Sequence, residues 1–261
     1  MPVYAMLQAH SFLWHYSWVA PNVLLLILCF FLWKRGLHSE FPAFFAFALC
    51  NGIGELVVYA ADLLPFVSAH AFWGITWAAW ILEGVLKFAA IGEIFSKLFG
   101  PYESVARLGK VLIQLVGGLF VFAAALVAAY NPWGHSPGIM GGAEILQQST
   151  FLIECGVLVF IFLFASYFHL RWPRQAFGIA VGLGISASVH LATWGLITNA
   201  GFPASKRTLL TMLNSMVFHL VVLSWFYYLL VPEPLPIQPL TPLPQNNLAV
   251  WNRELERLLH Q

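Results

Sequence analysis

Ionisable and amide side chains interrupt several long apolar stretches of this 261-residue sequence. Such groups are costly inside a membrane, so they usually face the interior of a helix bundle and take part in ligand binding or proton transfer. The residues that could form a ligand-binding or proton-binding site are Asn51, Glu55, Glu83, Lys87, Glu154, His190, Asn214 and His219. The titratable members of this set fall near the middle of their stretches. We therefore predict one polar site at the level of the membrane midplane.

Helical spacing places several of these residues on shared helix faces, because residues three, four or seven apart lie on one side of a helix. Two such stripes are Asn51, Glu55, Tyr59 and Asp62, and Gly178, Gly182, Ser186 and His190. The small residues of the second stripe allow two helices to approach closely. We expect both stripes to face neighbouring helices, whereas the first and fourth spans carry few polar groups and are expected at the periphery.

The charges of this set suggest how they pair. Glu83 and Lys87 are four residues apart in the favourable order, so we expect them to pair within one helix. Glu55 and Glu154 then have no obvious cation. In a water-poor interior such a carboxylate takes up a proton unless a histidine or a bound cation compensates its charge. The pattern favours proton exchange or cation binding, and the alternative is a set of polar groups that only hold helices together.

The composition excludes a water-soluble globular domain. The chain is 60% hydrophobic and 9% charged, whereas soluble domains carry about 25% charged residues. The net charge of +1 gives no indication of a nucleic-acid partner. The three cysteines, Cys29, Cys50 and Cys155, lie inside apolar runs, so a disulfide framework is not expected.

Seven segments are long and apolar enough to cross a bilayer, which requires about 20 residues per helix. They lie near residues 14–33, 41–64, 72–99, 108–130, 144–170, 175–199 and 208–231. The predicted fold is therefore all-α, a polytopic membrane bundle of seven transmembrane helices. The bilayer is its first partner.

The basic residues predict the orientation, because Lys and Arg are retained on the cytoplasmic side. Nine of them fall in alternate loops and the tail: Lys34, Arg35, Lys97, Arg107, Lys110, Arg171, Arg174, Arg253 and Arg257. The opposite side has only two, Lys206 and Arg207. This asymmetry predicts an N-out, C-in multi-pass protein of the bacterial inner membrane.

Tryptophans and histidines gather at the predicted outer face. The residues are Trp14, Trp18, Trp73, Trp77 and Trp133 with His10, His15, His70 and His135. We interpret the tryptophans as an interfacial belt. The histidines could alternatively bind a transition metal or respond to external pH.

The C-terminal part differs in composition from the bundle, residues 1–231. Residues 232–246 are rich in proline and predict an extended, semi-rigid spacer. Residues 247–261 predict a short amphipathic helix. That helix could lie on the membrane surface or contact a cytoplasmic protein partner.

Common catalytic signatures are absent from the sequence. There is no Gly-rich phosphate loop, no His-Glu-x-x-His helix and no Gly-x-Ser-x-Gly elbow. A retinal protein would need a lysine deep in the last span, where His219 stands instead. An enzymatic activity is neither indicated nor excluded, and no cofactor is predicted.

Three stretches carry a resemblance to known proteins: residues 83–95 (EGVLKFAAIGEIF), 154–158 (ECGVL) and 178–185 (GIAVGLGI). They resemble a group of uncharacterised bacterial seven-span membrane proteins, which implies the fold but no activity. In architecture the chain is also similar to the seven-helix sensory domains of bacterial histidine kinases. Fold-level analogy alone is weak support for function.

These observations predict a membrane sensor or receptor-like module, with a buried polar site, that signals through its cytoplasmic tail or a partner. One alternative is a proton-coupled small-molecule transporter, since midplane carboxylates, lysine and histidines also describe such carriers. A second is a membrane metal or haem redox protein. There, His190 and His219 would be facing ligands, and Glu55, Glu83 or Glu154 would complete the site.

Overall fold

A computed structural model describes residues 11–100, 138–199 and 204–231, together with positions 111, 118, 256, 257 and 259. Over this part of the chain the protein is all-helical, as the sequence predicts, and the described residues form seven helices and no strand. The helices are α1 (Phe12–Lys34), α2 (Leu37–Glu40), α3 (Pro42–Leu63), α4 (Ala69–Phe99), α5 (Gly138–Tyr167), α6 (Arg174–Asn199) and α7 (Ala204–Leu230).

Five helices are long and apolar enough to cross a membrane, so the chain is a helical protein of the membrane type. They are α1, α3, Gln148–Tyr167 of α5, Arg174–Ile197 of α6 and Thr208–Leu230 of α7. Helix α4 has 31 residues, but its four charged side chains lower its hydropathy. The predicted span at 108–130 lies outside the described residues. The total of seven spans and the N-out orientation therefore stay predictions.

The six long helices pack in a closed ring. Helix α1 contacts α3 and α7, α3 contacts α4, and α5 links α4 to α6, which in turn contacts α7. Helix α4 also reaches α6 across the ring. Many large apolar side chains point away from this ring, such as Phe30, Leu163 and Leu220, each more than half exposed. This outer surface has the character expected of a lipid-facing one.

The chain divides into two compact units, Met1–Val231 and Pro232–Gln261. The predicted boundary between the bundle and the proline-rich spacer falls at the same place. The spacer at 232–246 lies outside the described residues, as does most of the predicted amphipathic helix at 247–261.

A dense apolar core fills one half of the bundle. Its largest fully buried side chains are Phe44, Phe47, Phe99, Trp225, Leu25, Leu28, Ile91, Ile94, Leu158, Ile161, Ile179 and Leu183. These residues come from one end of all six long helices. At its centre the rings of Phe44 and Trp225 meet edge to face at 5.1 Å, an arrangement that aromatic pairs prefer.

Basic residues close the same end of the bundle. Arg174 donates to the carbonyl oxygen of Val231 at 3.0 Å and to that of Tyr227 at 3.3 Å. Arg35 donates to the carbonyl oxygen of Leu230. These contacts supply donors to carbonyl groups at the end of α7, where the Tyr227 carbonyl also accepts from the Val231 N–H at 3.2 Å.

Glycines on α6 permit close contact with α7, which confirms the small-residue seam expected from their spacing. A methyl group added at Gly182 would overlap the indole of Trp225, and one added at Gly178 would overlap Cβ and the first ring atoms of Tyr228. The two helices can therefore pack at this distance only where α6 carries no side chain.

A carboxylate from α4 caps the start of α3. Phe41 precedes the helix and offers no side-chain cap, but Glu93 accepts hydrogen bonds from the backbone N–H groups of Ala43 at 3.4 Å and Phe44 at 3.1 Å. Open N–H groups at a helix start favour an anion. Glu93 thus ties α3 to α4 at the end of the bundle where the core lies.

Replacing Glu93 with alanine should lower the free energy of unfolding by about 1–2 kcal/mol, because capping bonds contribute about this much. Chemical unfolding of the purified protein in detergent measures the change. The control is Ser96→Ala on the same helix. Its hydroxyl donates only to Gly92 of its own helix, so a change within about 0.5 kcal/mol is expected. Equal losses in the two variants would contradict a capping role.

Candidate functional site

A cavity of about 370 Å³ lies in the half of the bundle that the apolar core leaves free. All six long helices contribute to its wall. Six predicted site residues line it: Asn51, Glu55, Glu83, Lys87, His190 and Asn214. Such a volume is at the lower end of the range of about 300–1,000 Å³ found for small-molecule sites. The fold thus brings most of the predicted polar set to one place.

Lys87 is held between two carboxylates. Its Nζ lies 2.8 Å from Oε1 of Glu83 and 3.5 Å from Oε2 of Glu154. The pair with Glu83 within α4 was expected from the four-residue spacing. The expectation that Glu154 lacks a cation is wrong, because the contact between α4 and α5 brings the long lysine side chain to it.

Glu154 is the most deeply buried member of this cluster. Its side chain is 0% exposed, against 6% for Lys87 and 19% for Glu83. Within the described part of the chain, neither of its carboxylate oxygens has a hydrogen-bond partner of good geometry. It does not line the cavity. A buried carboxylate without a hydrogen bond is unusual in a protein interior. The contact of Glu154 with the Lys87 ammonium therefore compensates its charge.

Phe151 lies one helical turn before Glu154 on α5 and lines the cavity. Its ring lies under the Lys87 ammonium, with 4.5 Å between Nζ and the ring centroid. The other neighbour of the ring is the His190 imidazole, which stacks on it at 3.9 Å. Phe151 therefore covers the buried ion pair and also forms the cavity wall.

Glu55 occupies a different part of the wall. Its Oε2 accepts a hydrogen bond of 2.9 Å from the indole Nε1 of Trp18. No Lys, Arg or His nitrogen of the described residues forms an ion pair with it. The sequence suggested that Glu55 has no cation partner, and none is found among the described residues.

Helix α1 is part of the site, which corrects the expectation that the first span is peripheral. Trp14, Ser17, Trp18, Pro21 and Asn22 all line the cavity. The sequence was misleading because tryptophan near a membrane surface is usually interfacial. Here the Trp18 indole turns inward, where its N–H finds the carboxylate of Glu55.

The two histidines of the predicted site lie apart. His190 forms a 2.7 Å hydrogen bond between its Nδ1 and Nδ2 of Asn214. His219 stacks on Tyr16 at 6.1 Å, in a separate groove between α1 and α7. His219 lies five positions after Asn214, which rotates its side chain by about 140° around the helix relative to Asn214. The expectation that His190 and His219 face each other is therefore wrong.

The geometry gives no support to a metal centre in the described residues. Nowhere in them do three His, Cys, Asp or Glu side chains come together as a metal site requires. His15 near the start of α1 is bonded to the hydroxyl of Tyr59 at 2.9 Å. His10 and His135 lie outside the described residues.

Comparison with known proteins gave no match. No family model, no curated protein and no solved structure matches it. The resemblance to seven-span bacterial proteins and to kinase sensory domains therefore stays a prediction. Any functional proposal must be argued from the cavity and its chemistry.

Sequence reasoning missed the aromatic part of the wall: Trp14, Trp18, Trp80, Phe151 and Phe218. Aromatic residues are also expected at the lipid surface of such a chain, so the residue type does not tell whether a ring faces lipid or the cavity. One signal was present. Trp80 precedes Glu83 by three residues and Lys87 by seven, and that spacing places all three on one face of α4.

Proposed function

We propose that this chain is a receptor or sensor of the bacterial inner membrane, and that it binds a small polar molecule in the cavity between its helices. The main support for this proposal is that the bundle is divided into two different halves. One half holds a cavity lined by Glu55, Glu83, Lys87, His190 and Asn214, and the other is filled by large apolar side chains. This arrangement suits a site that is approached from one side only.

The outer side of the membrane is the proposed route of entry. Lys34, Arg35, Lys97, Arg171 and Arg174 lie at the end of the helices that holds the apolar core, and basic residues favour the cytoplasmic side. The cavity then opens toward the periplasm. This orientation agrees with the N-out, C-in prediction from the loops.

A ligand in this cavity would contact several helices at once, and helix packing would carry the signal. A ligand changes a conformational equilibrium only if it binds the two states with different affinity. Groups from α3, α4, α6 and α7 converge on the cavity, so small shifts between these helices change its shape. Through the spacer at 232–246, such shifts would reach the segment at 247–261 and a cytoplasmic partner.

A proton-coupled transporter is the second candidate, and the buried cluster of Glu154 with Lys87 favours it. Ionisable groups inside spans are typical of proton relays and carriers. The packed apolar half speaks against this candidate for the conformation described, since large buried apolar side chains fill it in the part of the chain that the structure describes. Uptake of a bound molecule into vesicles that contain the protein would show that the protein is a transporter.

The proposed function is tested with a panel of small cationic, zwitterionic, anionic and neutral polar molecules. We expect at least one class to raise the unfolding temperature of the full-length protein in detergent, because a ligand that binds only the folded state stabilises it. The same molecule should change the amide hydrogen exchange of residues 247–261. Stabilisation by no class would overturn the proposal, and stabilisation without an effect on the tail would remove the signalling role.

A further inference from the structure

We propose that the ligand of the cavity is a small organic ammonium cation, bound by the Glu55 carboxylate and the surrounding aromatic rings. The inference rests on the proposed function and names the chemical class of its ligand. Three independent features of the wall carry it: its accessible charges, its aromatic rings and its size.

The accessible charge of the wall is negative. The ammonium of Lys87 is engaged by two carboxylates, at 2.8 Å and 3.5 Å, and its side chain is only 6% exposed. Glu83, its partner in α4, keeps 19% of its side chain exposed. Glu55 forms no ion pair within the described residues and accepts only the Trp18 indole N–H. The cavity wall therefore carries two carboxylates, Glu55 and Glu83, against one ammonium that is already ion-paired.

The aromatic wall adds a second attraction for a cation. Trp14, Trp18, Trp80 and Phe218 line the cavity from three different helices. Cations bind to the faces of such rings, tryptophan most strongly, and cages of this kind recognise organic ammonium groups. The protein already uses this contact internally, where the Lys87 ammonium lies 4.5 Å from the centroid of Phe151.

Other ligand classes fit the wall less well. An anion would approach Glu55 and Glu83, and the charge of the Lys87 ammonium is already compensated by two carboxylates. A bare metal ion prefers several oxygen or nitrogen ligands, and the described residues contain no group of three such side chains. A cavity of about 370 Å³ has room for a compact organic cation.

The test compares choline with 3,3-dimethylbutan-1-ol, its uncharged isostere, and with glycine betaine, its zwitterionic relative. Calorimetric titration of the full-length protein in detergent measures the three affinities. We expect choline to bind at least about tenfold more tightly than the neutral isostere, because the isostere keeps the shape and loses the charge. This comparison needs no variant and so does not depend on the folding of one.

Glu55→Gln examines the proposed contact directly. We expect it to weaken choline binding about tenfold while the unfolding temperature of the variant stays close to that of the parent protein. The matched control is Glu40→Gln, which removes a carboxylate that is 45% exposed and pairs with Lys97 at 3.7 Å. That variant lies at the core end of the bundle and should bind choline as the parent does.

Several results would overturn the inference. They are equal affinity for choline and its neutral isostere, tighter binding of glycine betaine than of choline, undiminished choline binding by Glu55→Gln, and no binding of choline. The panel described above separates the two proposals. If another class of molecule stabilises the protein while choline does not, the receptor proposal stands and the ammonium ligand falls. If no class stabilises it, both fall.

Discussion

Replacing Lys87 with methionine should destabilise the bundle by about 3–5 kcal/mol, the cost of removing one partner of a buried ion pair. Methionine has a similar length and no charge. The substitution leaves Glu83 and the fully buried Glu154 facing each other without a cation. Chemical unfolding of the purified protein in detergent measures the loss.

The matched control is Lys97→Met, ten residues further along α4. Lys97 also pairs with a glutamate, Glu40 at 3.7 Å, but these side chains are 29% and 45% exposed. Exposed pairs contribute about 0–1 kcal/mol, so the control should unfold nearly as the parent protein does. Equal losses in the two variants would show that burial of the Lys87 cluster has no energetic consequence.

A second substitution distinguishes charge from packing. If Lys87→Met is harmful because it leaves a carboxylate uncompensated, adding Glu154→Gln should recover part of the loss, since residues in contact are not additive. A packing defect would not be repaired in this way. Additive losses in the double variant would therefore reject the electrostatic explanation.

The Lys87 cluster also illustrates what the sequence could predict and what it could not. The pair of Glu83 and Lys87 follows from spacing on one helix, because helix geometry alone places residues four apart side by side. The contact of Lys87 with Glu154 depends on which face of α5 meets α4. The spacing of Gln147, Thr150 and Glu154 predicts a polar face on α5, but it does not say which neighbouring helix that face meets.

Helix α1 shows the same limit more strongly. Its length and its first and last residues were predicted within a few positions, since an apolar stretch of about 20 residues indicates a transmembrane helix. Its rotation was not, because lipid and a protein core are equally apolar. The inward turn of Trp18 toward Glu55 could be recognised only when α3 was placed beside it.

The sequence predicted helix contacts best where a residue has a single steric role. Gly178 and Gly182 recur at four-residue steps on α6, and close contact with α7 follows directly from their lack of a side chain. His190 on the same stripe points, as expected, at a neighbouring helix, where it bonds Asn214. A stripe of small residues has one geometric interpretation, whereas a lone histidine such as His219 has several.

The close contact of α6 with α7 at these glycines leads to the second prediction with a large expected effect on the free energy of unfolding. Gly182→Ala should cost about 1–3 kcal/mol or more of unfolding free energy, because overpacking forces side chains and backbone apart. The added methyl group would overlap the Trp225 indole. That ring is 0% exposed and lies against Phe44 and Phe47 at 5.1 and 6.2 Å. It has no free space to move into, so α6 must move away from α7.

A graded series of glycine variants on α6 distinguishes steric overlap from a general effect of alanine. Gly178→Ala should cost at least as much as Gly182→Ala, because the nearest atom to the new methyl group is Cβ of Tyr228, which is fixed to the backbone of α7. Gly195→Ala has open space around the new methyl group and should be neutral or slightly stabilising, as alanine favours helices over glycine by up to about 1 kcal/mol. The unfolding temperature of Gly195→Ala should therefore be the highest, with those of Gly178→Ala and Gly182→Ala both well below it. An unfolding temperature of Gly182→Ala at or above that of Gly195→Ala would mean that the close contact of α6 and α7 is not what holds this half of the bundle together.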